Sequence, residues 1–106
     1  MNSKEKIQLH KGMDCVRRMD FEKAIEYFQI VTASNPDMPE AWNNLGVAFY
    51  GLGRIDEALE SYDRSIALDP SNLDALRNRA FLLRNQKRLP EALEAYDTVL
   101  EREEMP

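Results

Sequence analysis

The chain has 106 residues, of which 43% are hydrophobic and 31% charged, a balance typical of one small soluble globular domain and not of a multidomain enzyme. Its net charge of -5 argues against a general nucleic-acid binder, which needs a concentrated positive surface. The sequence contains no apolar run that could span a membrane and no signal-peptide core, so we expect an intracellular, cytoplasmic protein. Its single cysteine, Cys15, agrees with a reducing compartment.

Apolar residues recur at helical spacing in six runs that are separated by short turns. In chain order, this spacing predicts helices over 5–18, 21–34, 39–52, 55–68, 73–86 and 89–103. The turns carry matching chemistry, because Asp20 can cap the helix that follows it and Pro70 restrains Asp69 from the helical region. Pro90 falls in a first helical turn, where its missing N–H costs little. We therefore expect three antiparallel helix pairs.

The helix pairs repeat with a period of 34 residues. Evenly spaced alanines are each followed four residues later by an aromatic residue, in the pairs Ala24 with Phe28, Ala58 with Tyr62, and Ala92 with Tyr96. Self-similarity at this period indicates stacked repeats and not a single closed core. The predicted units of this single domain are 5–38, 39–72 and 73–106.

Gly46 lies in the middle of the third predicted helix, where it costs about 1 kcal/mol relative to alanine. Gly12 and Ala80 occupy the same position in the other two units, so all three residues are small. We infer that this position lets the two helices of a unit approach closely, so that packing offsets the cost of the glycine.

The middle unit resembles the tetratricopeptide repeat (TPR), whose signature is W-x2-L-G-x2-Y, then A-x3-F, then a closing proline. The matching residues are Trp42, Leu45, Gly46, Phe49, Ala58, Tyr62 and Pro70. The resemblance implies an all-α, right-handed α-solenoid of three helix pairs, here expected without a C-terminal capping helix. It also implies that the first helices line a concave groove, and that the chain is a non-catalytic adaptor or scaffold that binds a peptide segment or helix of a partner protein.

The resemblance also assigns residues to the groove. The predicted peptide-binding residues are Leu9, His10, Met13, Asn43, Asn44, Val47, Tyr50, Arg77, Asn78, Phe81 and Arg84. Asn44 and Asn78 resemble rungs of the asparagine ladder with which some TPR proteins bind a peptide backbone, although exposed asparagines can also merely solvate a helix. Chaperone-binding members clamp a C-terminal carboxylate, but only Asn44 matches that clamp and Asp74 would repel the carboxylate. We therefore expect no binding of Hsp70 or Hsp90 tails by that mechanism.

Basic residues are expected on the same face. Arg77 and Arg84, together with Lys6 and Arg17, could favour an acidic peptide, while the alternative is that they form an ordinary solvated surface.

The sequence predicts no enzyme. His10 and Cys15 are the only residues of their kinds, and five helical steps separate them by about 140° around the axis, so they cannot form a nucleophile–base pair on one helix face. No cluster has the spacing of a metal site, and we expect neither metal nor cofactor.

The last predicted helix carries apolar residues with no following element to cover them: Leu93, Tyr96, Val99 and Leu100. Stacked repeats need their last apolar face covered. The alternative to peptide binding is therefore a structural assembly unit that forms a homo-oligomer through this helix. RNA binding, as in other helical repeats, is a remote third possibility because the chain is acidic.

Overall fold

The computed structural model describes residues 1–104, which form six α-helices: α1 (Ser3–Arg17), α2 (Phe21–Ser34), α3 (Pro39–Gly51), α4 (Ile55–Leu68), α5 (Leu73–Asn85) and α6 (Leu89–Glu104). Each helix begins and ends within one or two residues of its predicted bounds. The start of α1 is earlier than predicted because Asn2 caps it: Asn2 Oδ1 accepts from the Glu5 N–H at 2.8 Å, and Glu5 Oε2 accepts from the Asn2 N–H at 3.2 Å. Pro106, predicted to close the third unit, lies outside the described residues.

The helices form three pairs, α1 with α2, α3 with α4, and α5 with α6, and each second helix also packs on the first helix of the next pair. The first helices contact one another, α1 with α3 and α3 with α5, whereas α2, α4 and α6 do not. The array therefore curves with α1, α3 and α5 on its concave side. This architecture confirms the predicted all-α solenoid. No helix within residues 1–104 has the length and apolar character needed to cross a membrane.

Glycine in the first helices makes room for an aromatic ring of the same pair. A Cβ on Gly46 would lie 2.5 Å from Tyr62 Cε1 and 3.2 Å from the Ala58 carbonyl oxygen. A Cβ on Gly12 would lie 2.5 Å from Phe28 Cε1. Both rings are buried. These contacts support the close approach inferred from the sequence and identify the group that the glycine accommodates.

The turn inside each pair has the same backbone conformation. Met19, Gly53 and Lys87 are spaced by 34 residues and have φ angles of 62°, 76° and 60°, in the left-handed region. The residue after each donates its N–H to a carbonyl five residues back, as Asp20 does to Cys15 at 2.8 Å. This is a Schellman-type helix end, which glycine adopts most easily. Only the middle turn has glycine there, which is why the sequence did not reveal the shared turn.

Candidate functional site

The concave face of α1, α3 and α5 carries most of the predicted groove residues at its surface. His10, Arg77, Phe81 and Arg84 are exposed, and a further set is partly buried: Met13, Asn44, Val47, Tyr50 and Asn78. Two predictions need correction. Leu9 is 2% exposed and belongs to the hydrophobic core, since α1 packs on both α2 and α3. Asn43 is 9% exposed, and its side chain contacts α5 and not open solvent.

A pocket of about 190 Å³ opens between α1 and α3, lined by Met13, Val16, Arg17, Phe28, Asn44 and Val47. Four of these side chains are apolar, and the methionine, valine and aromatic surfaces suit an apolar group. Phe28 reaches the pocket from α2, beneath the groove. It was not among the predicted site residues because its signature position indicates a core aromatic and nothing in the sequence indicates that its ring reaches the concave side.

The Asn44 amide nitrogen is buried beside this pocket and has no hydrogen-bond partner within residues 1–104. A buried donor without an acceptor costs about 1–3 kcal/mol, and most buried polar groups in proteins are paired. An acceptor atom delivered from outside the chain would satisfy this donor. Asn44 therefore offers a hydrogen-bond donor beside the pocket that no group of residues 1–104 uses.

The boundary between α3 and α5 is bridged by side chains. Asn78 Nδ2 donates to Asn43 Oδ1 at 3.0 Å, and Asn85 Nδ2 donates to the Tyr50 hydroxyl at 2.7 Å. Tyr50 also lies beside Phe81, with ring centroids 6.3 Å apart. The second of the two asparagines predicted to form a ladder is thus engaged within the chain, so the two amides differ in how free they are to bind a peptide.

Positive charge in the groove is partly neutralised. Arg17 pairs with Asp14, and Arg77 pairs with Glu103 of α6. The Arg84 guanidinium lies 5.0 Å from the centroid of the Phe81 ring. Exposed ion pairs contribute little to stability, but they reduce the field that a ligand meets. The predicted attraction for an acidic peptide therefore rests on fewer free cations than the sequence indicates.

A second depression, of about 240 Å³, lies between α2 and α4 on the convex side and includes Trp42, Phe49 and Arg64 in its lining. Its charged groups already have partners: Glu57 pairs with Arg54, and the Arg64 guanidinium lies 4.7 Å from the Trp42 ring centroid. No unpartnered buried polar atom lies among its lining residues. We therefore place the candidate site in the concave pocket.

The titratable groups show no catalytic arrangement on the described part of the chain. Cys15 is buried, whereas His10 is exposed. Residues 1–104 contain no group of three His, Cys, Asp or Glu side chains that could hold a metal ion. Burial, with a smaller effect of Tyr50, raises the pKa of Tyr62 well above its ordinary value, as expected for a core tyrosine.

Two of the four residues predicted for self-association are exposed on the outward face of α6: Leu93 at 65% and Leu100 at 55%. Tyr96 is partly buried. The prediction that Val99 takes part in self-association is wrong, because Val99 is 6% exposed on the helix that packs against α5 in the third pair. Leu89, which was not predicted, is 59% exposed on the same helix.

Comparison with known proteins gives relatives that match about half of this chain. The peroxisomal targeting signal receptor of Saccharomyces cerevisiae is 33% identical over 60 residues, which are 57% of this chain and 10% of the receptor. An uncharacterized protein of Methanocaldococcus jannaschii, MJ0572, is 39% identical over 56 residues, which are 53% of this chain. The matched segment spans 65% of the length of that relative.

Solved structures share the fold. The TPR2B domain of yeast Sti1, in a complex with pHsp70, matches 95% of this chain and 81% of its own with a TM-score of 0.91 at 20% identity. The second TPR of Spaghetti (RPAP3), bound to the HSP90 peptide SRMEEVD, matches 92% of this chain and 91% of its own with a TM-score of 0.85 at 22% identity. A family model, described as tetratricopeptide repeat, matches residues 11–72 and 48–104. With signature residues, helix pairs and family model in agreement, the chain belongs to the tetratricopeptide repeat family.

Proposed function

We propose that the chain is a protein-interaction module whose concave groove holds an extended segment of a partner protein. The observation that carries this proposal is the unpartnered Asn44 amide nitrogen beside an apolar pocket. The pocket offers space for a side chain, and the amide offers a donor for the backbone beside it. Together they match the alternation of side chain and carbonyl along an extended peptide.

The ligand that fits best carries an apolar side chain. Burying a side chain of leucine size against Met13 and Val47 would contribute about 1.5–3 kcal/mol. A backbone carbonyl that accepts from Asn44 would also remove the cost of its unpaired donor, about 1–3 kcal/mol. One short segment can make both the apolar contact and the hydrogen bond, because its side chain and its backbone carbonyl are adjacent.

The structural neighbours support peptide binding as the general role, since two of them hold peptides or partners of chaperone origin. Their identity to this chain is low, 20% and 22%, and the residues of this chain's own groove indicate the ligand class. At the positions that clamp a carboxylate in chaperone-binding members, this chain has a buried Leu9 and an exposed Asp74. We propose an internal segment as the ligand, and not a C-terminal tail.

A preference for acidic ligands, expected from the basic residues, is a secondary part of the proposal. Arg84 supports it, because no carboxylate lies within ion-pair distance of its guanidinium among residues 1–104, whereas Arg77 is held by Glu103. We expect the affinity of an acidic ligand to fall modestly with added salt.

A random peptide library, selected on the wild-type chain, tests the proposal. We expect the selected peptides to share an apolar residue and to bind Asn44→Ala and Val47→Glu at least about tenfold more weakly. Fluorescence anisotropy with one selected peptide gives the affinities, and the peptide SRMEEVD should show no comparable binding.

The matched control is Gln29→Ala in the exposed lining of the convex depression, which should leave affinity unchanged. Circular dichroism confirms that each variant keeps its helices. Selected peptides that bind Asn44→Ala and Val47→Glu as tightly as wild type would contradict the proposed site. Loss of binding in Gln29→Ala alone would move the site to the convex side.

A further inference from the structure

The outward face of α6 carries a continuous apolar stripe, defined here as Leu89, Leu93, Tyr96 and Leu100. These residues follow one another at intervals of four, three and four, which places them on one side of the helix. The three leucines are between 55% and 65% exposed. The same spacing forms the seam along which two helices pack in coiled coils.

The other helix pairs show what this type of surface does. The stripe residues Leu93 and Leu100 correspond, 68 residues earlier, to Ile25 and Thr32 of α2, which are 6% and 8% exposed where α3 covers them. Leu89 corresponds to Phe21, whose ring lies so close to α3 that a Cβ on Gly51 would be 2.5 Å from it. The stripe is therefore a helix-packing surface that lacks its helix in this structure.

A second copy stacked head to tail would place its α1 on this stripe, but α1 does not suit the role. Its residues Lys4, Lys11 and Asp14 stand where the second pair has Met38, just before α3, and Leu45 and Ala48 within α3, each of which is at most 8% exposed. Burying two lysines and an aspartate in that contact would be costly. Ile7, at the position of the buried Ala41, is an exposed apolar residue on this face, beside these charged side chains.

The charge along α6 favours a second copy of the same helix in the opposite direction. Lys87, just before the helix, has no ion-pair partner among residues 1–104, whereas Arg88 is held by Glu91. In the final turn Glu101 and Glu104 are likewise unpaired among these residues, and Glu103 is held by Arg77. An antiparallel partner would bring the basic start of each helix to the acidic end of the other. A parallel partner would instead place the glutamates against one another.

We propose that two copies of the chain associate through α6 in an antiparallel, two-fold arrangement. Leu89 of each copy packs against Leu100 of the other, and Leu93 packs against Tyr96 across the axis. The contact is isologous, so it closes at a dimer and does not grow into a filament. The proposal is independent of the groove, which lies on α1, α3 and α5.

Sedimentation equilibrium over a range of concentrations tests the association. We expect the mass to rise from 12.3 kDa towards twice that value, and Leu93→Glu to raise the concentration for half-association by about tenfold or more. Because Leu93 is exposed, the variant should keep the helicity of wild type. Ile7→Glu, at an exposed position on α1, is the matched control and should leave association unchanged.

Disulfide trapping tests the orientation. In the antiparallel arrangement, the Leu100 residues of the two copies lie about 16 Å apart along the helix axis, beyond the reach of a disulfide. Leu100 of one copy instead lies close to Leu89 of the other. Leu89→Cys mixed with Leu100→Cys should therefore give linked dimers, whereas neither variant alone should. Wild type is the control, because its only cysteine, Cys15, is buried.

Three results would overturn the proposal: a constant mass of one chain at every concentration, association that Ile7→Glu abolishes, or linked dimers formed by Leu100→Cys alone. A constant mass would indicate that a different partner covers the stripe. Association that Ile7→Glu abolishes would indicate head-to-tail stacking, and linked dimers of Leu100→Cys alone would indicate a parallel pair. Binding of the selected groove peptide to Leu93→Glu should equal that of wild type, which separates a failure of this proposal from a failure of the groove.

Discussion

The three left-handed turn residues allow a prediction about stability that isolates the backbone. Met19 and Gly53 have nearly the same φ angle, 62° and 76°, at equivalent positions of two helix pairs. A side chain in this conformation costs about 1–2 kcal/mol, which glycine avoids. Glycine in turn loses about 0.4–1 kcal/mol through the greater freedom of the unfolded chain. The difference predicts that Met19→Gly stabilises the protein by about 0.5–1 kcal/mol.

Packing should not obscure this effect. Met19 is 74% exposed, so its removal gives up little buried surface. At Gly53, an added Cβ would have no atom within 4 Å, so Gly53→Ala changes only the backbone preference. We expect Gly53→Ala to destabilise by a similar amount, about 0.5–1 kcal/mol.

Urea unfolding monitored by circular dichroism measures both variants. The matched control is Arg18→Gly, one residue earlier, because Arg18 has a φ of -87° and glycine has no advantage there. In thermal unfolding, the same free energies correspond to shifts of about 2–6 °C. We expect Arg18→Gly to give no stabilisation. If Met19→Gly also fails to stabilise the protein, the left-handed conformation of Met19 does not cost stability and the reasoning is wrong.

Three further predictions concern the core and the surface of the helix pairs. Gly46→Ala should destabilise the fold, because overpacking against Tyr62 costs about 1–3 kcal/mol and outweighs the roughly 1 kcal/mol gain in helix propensity. In a Tyr62→Leu background the same substitution should instead stabilise the fold. Urea unfolding measures both free energies. Burial raises the pKa of Tyr62, so above pH ~10 only the unfolded state ionises there and stability should fall; Tyr62→Phe should flatten that part of the alkaline stability curve. The hydrogen bond from Arg88 lowers the pKa of Glu91, which favours folding above the ordinary carboxyl pKa and loses this effect as pH falls through the lowered value; Arg88→Ala should raise the Glu91 pKa in an NMR titration.

The helices and their pairing could be predicted from the sequence because the same spacing of alanine and aromatic residues occurs three times. Burial at one of the predicted groove positions could not be predicted. Leu9, Asn43 and Arg77 occupy the same place in their units, yet Leu9 and Asn43 are buried and Arg77 is exposed. The difference arises because α3 covers α1 and α5 covers α3, whereas no described helix lies beyond α5 on the concave side.

The hydrogen-bond and ion-pair partners of the groove side chains could not be predicted from the sequence either. Asn78 occupies the position equivalent to Asn44, but it donates to Asn43, while the Asn44 nitrogen has no partner among residues 1–104. Arg77 was expected to be free in the groove, and its partner Glu103 lies 26 residues away along the chain. Such pairings depend on the rotation of neighbouring helices by small angles, which a repeat pattern does not determine.

The two boundaries of the groove should also differ in how easily they bend. A change of curvature between α3 and α5 would break the hydrogen bonds at Asn78 and Asn85, whereas between α1 and α3 it would mainly slide apolar surfaces at the pocket. No side-chain hydrogen bond joins α1 to α3 within residues 1–104, so a small rotation of the first pair would break none in the groove. A ligand that contacts both α1 and α3 would restrict such a rotation, and this restriction would cost part of its binding free energy.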